Sequence, residues 1–398
     1  MIPRVCVVSA LYHPDLGGLG RQAQLLSERL GKDGVDLFVI ARKMEVDGRA
    51  AFSPSVEVVR VPSLFSKHHI LEEISIKNIL ISVIFSLGCL VVLIRRRKSY
   101  DLVHFHGASV PLFVALPFLK WMGKNVLAKV AAANLGTEAG SLSGRYGGIG
   151  NLLAKLVRRV DAFVAISDEI REGLLRDGIP PGRIHRIDNF VDSTVFFPPA
   201  AGEREMLKKL FGYSGKTLVL FSGRMVPRKG VAHLLVAWKV VIDDHPEARL
   251  LLLGDGPLLG DLRRMAAGLG IGDSADFKGR VENVPEFLRA GDLFILPSLQ
   301  EGMPNALLEA MACGLPAVAT RIGGVVDIVS QEEDAVLVPP SSPSGLAEGI
   351  NRLLSDPSRR ESMSLAAARR SRFYRSMEAR VPVYRLLYSN LLGSGGMR

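Results

Sequence analysis

Cysteine is scarce: the 398 residues carry three, Cys6, Cys89 and Cys313. Each sits in an apolar run, and no Cys-x-x-Cys or His/Cys spacing accompanies them. This excludes a disulfide framework and a structural zinc site, and three buried free thiols in a reducing compartment are expected. Asp-x-Asp, Gly-x-Ser-x-Gly and His-Glu-x-x-His are missing as well. Neither a metal-held phosphate, nor a serine triad, nor a zinc-protease helix is therefore supported. Acidic residues are outnumbered, 40 against 50 basic, for a formal charge of +10. Such a balance favours anionic partners: nucleotides, phospholipid headgroups, acidic glycans or nucleic acid. The opening "MIPRVCVVSALYHP" has too short an apolar run for a secretory signal, and no small-residue cleavage site. It reads as a first β-strand, and a cytoplasmic location is expected.

What the chain has in quantity is a repeated alternation. "RVCVVSA", "VDLFVIA", "VEVVRV", "DLVHFH", "NVLAKVA" and "DAFVAIS" are strand-like in the first half. "TLVLFSG", "ARLLLLG", "ADFKG", "DLFILPS", "PAVAT" and "AVLVP" repeat the theme in the second. Continuous apolar strands separated by helical patterns mean parallel sheets covered on both faces. A composition shift with a Pro-Pro pair, Phe196–Gly202, reads as the linker between two doubly wound α/β domains, residues 1–198 and 199–374. Ligand is expected at the carboxyl ends of the strands, in the cleft between the domains. The amphipathic segment 375–398 is expected to pack back on the first domain. Ile79 to Ile94, "ILISVIFSLGCLVVLI", is followed at once by Arg95, Arg96, Arg97 and Lys98. It is shorter than the about 20 residues of a spanning helix, and Ser75, Asn78, Ser82 and Ser86 draw a polar stripe along it. A buried helix and an interfacial helix on an anionic bilayer are both open readings, and a true span would break an alternating α/β domain in two.

Several segments could carry chemistry. In "LFSGRMVPRKG", Arg224 and Lys229 bracket a Pro-containing loop between a strand and a helix, a cationic pair suited to a diphosphate. Gly254 and Gly256 follow a strand, but Leu259 stands where a dinucleotide fingerprint needs its third glycine. Gly17, Gly18 and Gly20 lie between a strand and a helix, where free backbone N–H groups make an anion site, and no Gly-Lys-Ser/Thr follows. His104 and His106 alternate along a strand end and are read as pointing to opposite faces, so joint zinc binding is not expected. The stretch "EGMPNALLEAMACG" puts Glu301 in a Gly/Pro loop and Glu309 inside an apolar helix. A carboxylate there must cap, pair or hold a ligand.

The run "EGMPNALLEAMACGLPAVAT" resembles the retaining glycosyltransferases of family 4. "SGRMVPRKG", "LLLGDGPL", "FKGRVENVPEFLRAGDLFILPS", "RIGGVVDIV" and "VLVPPSSPSGLAEGINRLLSDP" follow in that family's order and spacing, with "NFVDSTVFFP" and "YHPDLGGLGRQ" upstream. The resemblance implies a GT-B fold, two Rossmann-like doubly wound domains, with donor bound by the second and acceptor by the first. It implies that Glu301 accepts from sugar hydroxyls and Glu309 from both ribose hydroxyls. Arg224 and Lys229 would neutralise the diphosphate in place of a metal. Gly17, Gly18, Gly254, Arg280, Met303, Pro304, Asn305, Ala306 and Leu307 would complete the donor site. Many members carry a His after the strand that follows "DLVHFH"; here "NVLAKVAAANLGTEAG" has none. His106 is the substitute, with Lys129 and Asn134 as competitors. The expected activity is metal-independent transfer of a hexose from a UDP- or GDP-linked donor to a sugar or lipid-linked acceptor in surface glycan synthesis. No cofactor and no nucleic-acid partner are expected, and contact with the inner face of the plasma membrane is. A GT-B epimerase and a non-catalytic nucleotide-sugar scaffold remain as alternatives.

Overall fold

The computed structural model describes residues 3–13, 17–44, 55–62, 76–131 and 156–393. The chain divides into two compact units, one formed by Met1–Asn189 with Met377–Arg398 and the other by Phe190–Ser376.

The first unit holds a seven-stranded parallel sheet in the order β3-β2-β1-β4-β5-β6-β7. Its strands are β1 Arg4–Val8, β2 Asp36–Arg42, β3 Glu57–Val61, β4 Leu102–His106, β5 Asn125–Val130, β6 Ala162–Ala165 and β7 Ile184–Arg186. The second holds a six-stranded parallel sheet ordered β10-β9-β8-β11-β12-β13. These are β8 Thr217–Ser222, β9 Ala248–Leu253, β10 Ala275–Gly279, β11 Leu293–Leu296, β12 Ala317–Thr320 and β13 Ala335–Val338. All twelve apolar runs form strands. The short β7, "IHR", lies outside those runs, because three residues at a sheet edge make no apolar run.

The division falls at Asn189/Phe190, ahead of the Phe196–Gly202 linker expected from composition. Phe190, Val191 and Phe196 are buried, and the Val191 N–H donates to the Arg375 carbonyl at 2.9 Å. The proline pair therefore lies on the surface of the second unit and does not mark its boundary. The C-terminal helix Met377–Gly393 belongs to the first unit, where it packs on the helix Gly18–Lys32. Arg29 and Glu378 pair across these helices at 3.3 Å.

Strands such as β2 and β9 are buried and largely apolar on both faces, as sheets covered by helices require, whereas β4 and β5 place His104, His106 and Lys129 inside the first unit. In the second unit Trp238 is fully buried and its indole N–H donates to Ser274 at 3.1 Å, so its polar end is satisfied inside the core. The three cysteines are free and buried, and burial raises each thiol, Cys313 to about 12.

Candidate functional site

The site in the second unit is assembled by loops at the carboxyl ends of β8, β9, β10 and β11. Two of these loops are joined backbone to backbone: the Leu299 N–H donates to the Arg228 carbonyl at 2.7 Å. Gly230, with φ +64°, passes so close that a Cβ there would stand 2.0 Å from the Pro297 carbonyl oxygen. This seam carries the Arg228–Lys229 loop alongside the loop of Glu301.

Glu301 is buried, and its carboxylate is held by three side chains. Lys229 Nζ pairs with Oε1, the Ser298 hydroxyl donates to the same oxygen at 2.8 Å, and Arg228 stands 3.7 Å from Oε2. Two cations and a hydroxyl offset the cost of removing this carboxylate from water. Lys229 and Glu301, 72 residues apart, are thus brought together. The sequence pattern points to Arg224, and the structure adds Arg228. The "RK" pair carried the signal, but only the Leu299–Arg228 seam shows that both cations face the same carboxylate. Arg224 sits half-buried on the turn after β8, where the Met225 N–H donates to the Asp255 carbonyl at 2.9 Å.

The helix Asn305–Ala312 begins after Pro304 with no side-chain cap. Its first-turn N–H groups lack intrahelical acceptors, which makes its N-terminus an anion-attracting end. Leu307, Leu308, Met311 and Ala312 are buried, whereas Asn305, Ala306 and Glu309 are half-buried. The spacings of four and three residues place these last three on one face. Glu309 therefore does not point into the core, although its neighbours in sequence do. Met303 and Leu307 are buried side chains, so a ligand would meet their backbone. The 301–304 loop is backed by the helix Gly323–Val326, since a Cβ on Gly324 would lie 1.6 Å from the Gly302 carbonyl oxygen.

Gly254 has φ +138°, and a Cβ there would fall 1.9 Å from the Gly223 carbonyl oxygen. Its N–H donates to the Gly279 carbonyl at 2.7 Å, so the turns after β8, β9 and β10 abut, with exposed Arg280 next along the chain. Gly254 serves close backbone packing, which is why the third glycine of a dinucleotide fingerprint is not needed.

In the first unit, Gly17 is the uncapped N-cap of the helix beginning at Gly18. Leu19 of that helix comes within 3.1 Å of where a Cβ on Gly107 would stand, so this N-terminus adjoins the end of β4. His104 and His106 do not point to opposite faces. Their ring centroids are 4.4 Å apart, because residues two apart on a strand share a face. His104 Nδ1 lies 2.7 Å from the Tyr388 hydroxyl of the C-terminal helix. His106 is paired in register with Lys129 of β5, and both side chains are buried. Among the described residues, Lys129 Nζ, His104 Nε2, both ring nitrogens of His106 and the Tyr384 hydroxyl have no hydrogen-bond partner. Burial holds His104 down to about 3, His106 well below the usual histidine range and Lys129 down to about 7. Asn134 lies outside the described residues.

Two parallel-sheet units of this topology, each with ligand-suited loops at the carboxyl edge, define the two-domain GT-B class of glycosyltransferases. Solved structures agree. Sucrose-phosphate synthase from Thermosynechococcus elongatus superposes with a TM-score of 0.82 at 21% identity, over 98% of this chain and 100% of that one. Anabaena HepE in complex with UDP-glucose gives 0.75 at 17% identity, over 98% and 99%. The Glycosyltransferase Family 4 profile matches residues 16–195, and the Glycosyl transferases group 1 profile matches residues 203–370. The chain belongs to glycosyltransferase family 4.

Among curated relatives, an exopolysaccharide phosphotransferase of Streptomyces coelicolor is 36% identical over 213 residues, 53% of this chain but only 21% of the relative. A GDP-mannose-dependent monoacylated α-(1-6)-phosphatidylinositol monomannoside mannosyltransferase of Corynebacterium glutamicum is 28% identical over 376 residues, 91% of this chain and 92% of the relative.

Proposed function

We propose that this glycosyltransferase moves a sugar from a UDP- or GDP-linked donor to a sugar or lipid-linked acceptor, with retained anomeric configuration and without a metal ion. The reading rests above all on the buried Glu301 carboxylate held between Lys229, Arg228 and Ser298 at the carboxyl edge of the second sheet. A buried carboxylate in a loop, fixed by cations from a second loop, is oriented for hydroxyl recognition and is costly to keep for packing alone. Lys229 spends one donor on Glu301 and retains others for a diphosphate oxygen. Arg224 supplies a second cation on the adjoining turn, and the N-terminus at Asn305 adds backbone donors. Glu309, on the half-buried face of that helix, takes the ribose hydroxyls. UDP- or GDP-linked donors fit relatives whose names specify UDP-glucose or GDP-mannose.

During transfer the bond from the anomeric carbon to the diphosphate oxygen breaks, and its electron pair leaves with the nucleotide. The acceptor oxygen bonds to the anomeric carbon, and its proton passes to the departing phosphate. Lys229, Arg228 and Arg224 lower the barrier by stabilising the charge that develops there, in place of a metal ion. Surface glycan synthesis is the role that fits such a reaction.

The reading is tested with a panel of nucleotide sugars in excess chelator. Transfer or slow donor hydrolysis is followed by proton NMR of the released sugar or product. Turnover in chelator with α-donor giving α-product supports the proposal. Activity that vanishes and returns with Mg²⁺ or Mn²⁺, or inverted product, overturns it.

A further inference from the structure

The helix Ile76–Arg95 is built inside out for a protein surrounded by water. Its polar stripe turns inward: Asn78 and Ser86 are buried, and the Ser86 hydroxyl donates to the Ser82 carbonyl at 2.6 Å. Its opposite face is apolar and exposed, with Ile79, Leu80, Val83, Leu87, Val91 and Ile94 each 38–53% accessible. From Leu80 onward these recur at helical spacing and form one continuous strip. The inner face, Ile81, Phe85, Cys89 and Leu93, is closed onto the first unit. At Gly88 a Cβ would stand 2.2 Å from Val61 of β3, so the helix lies tight against the sheet.

A second helix widens the strip. Val110–Trp121 packs on Ile76–Arg95, and exposes Phe118 at 44% and Trp121 at 85%. Trp121 lines one shallow depression with Arg97, Met122 and Lys124. Arg95, Arg97 and Lys98 are exposed, while Arg96 is engaged by Glu57. No Asp or Glu occurs between residues 76 and 98, or between 110 and 124. An apolar strip ending in a tryptophan and a cluster of exposed cations matches the depth profile of a bilayer surface with anionic headgroups. A water-facing interface would not need this arrangement, because scattered apolar residues are tolerated but contiguous apolar patches are rare.

We propose that this two-helix face is a docking surface for an anionic lipid bilayer, on which the helix lies flat. Residues 78–95 are long and apolar enough to cross a membrane, but the inner face is occupied by the sheet, so the helix contacts lipid along one side only. The inference does not depend on the transfer reaction proposed above.

The test uses the full chain in co-sedimentation with vesicles of pure phosphatidylcholine or of phosphatidylcholine with phosphatidylglycerol. Binding to the anionic vesicles at low salt, weakened at least tenfold by raised salt, is expected. Leu87→Glu with Val91→Glu, and separately Trp121→Ala with Arg97→Glu, should each weaken binding at least tenfold. All four side chains are at least partly solvent-accessible, and circular dichroism confirms that the variants are folded. Sedimentation velocity without lipid covers the other occupant. A dimer that Leu87→Glu dissociates, with no vesicle binding, would overturn the proposal in favour of a second copy of the chain. Vesicle binding indifferent to both variant pairs would overturn it as well.

Discussion

Glu301 and Glu309 stand eight residues apart but answer to different physics. Glu301 is buried and triply held, and lies on the proposed account where positive charge develops on the sugar. Glu301→Ala is therefore expected to lower kcat by about 10²–10³, the usual loss for one transition-state hydrogen-bonding group. On the same account Glu309 would grip ground state and transition state alike, so Glu309→Ala should mainly raise the donor KM. Steady-state kinetics on folded variants separates the two, and wild-type constants in both would make the stretch structural. Lys129 gives a pH signature of its own. Burial lowers its pKa to about 7, so between about pH 7 and 10 the unfolded chain holds a proton that the folded chain does not. Stability should then rise with pH across that window and be lowest below it. Lys129→Met should remove the slope and stabilise most at or below pH 7, by at most about 5 kcal/mol at 1.36 kcal/mol per unit. Urea denaturation at pH 6.5, 8 and 9.5 checks this, and an unchanged slope in the variant would exclude the assignment. These two histidines and one lysine were legible as residues of interest, but their mutual packing was not. That depends on Tyr384 and Tyr388, which arrive from nearly 300 residues away.

At the scale of elements, strands were the most legible feature, since buried parallel strands are written as continuous apolar runs such as "ARLLLL" and "LFIL". What the chain could not declare locally was which turns touch. The joining of the Arg228 and Leu299 loops, and of the Gly223, Gly254 and Gly279 turns, is set by strand order β10-β9-β8-β11. The glycines do record it. Gly254→Ala should place a Cβ against the Gly223 carbonyl oxygen and force an unfavourable φ, costing at least about 2 kcal/mol. Chemical denaturation should show that loss, together with weakened nucleotide binding. An unperturbed midpoint would mean the turn relaxes freely. The helix Ile76–Arg95 shows the converse limit: composition marked its polar stripe, but only packing reveals that the stripe faces inward.

For the whole molecule, two doubly wound units were readable from the alternation of strand and helix patterns, because each strand must be covered before the next can pair. The boundary was displaced, since Pro-Pro composition marks a surface and Phe190, Val191 and Phe196 mark where the core of the second unit begins. The central claim is that this second unit binds a nucleotide diphosphate sugar through Glu301, Glu309, Lys229 and the cations beside them. Thermal denaturation in excess chelator, against UDP, GDP, ADP and their common sugars, tests it most directly. At ~100-fold its dissociation constant a true ligand adds about 2.7 kcal/mol, which for a unit of this size is about 5–10 °C. The account predicts such a rise for one nucleotide and its sugar, diminished in Glu309→Ala and Lys229→Ala. A transition that no member of the panel moves, or one moved equally in both variants, would contradict it.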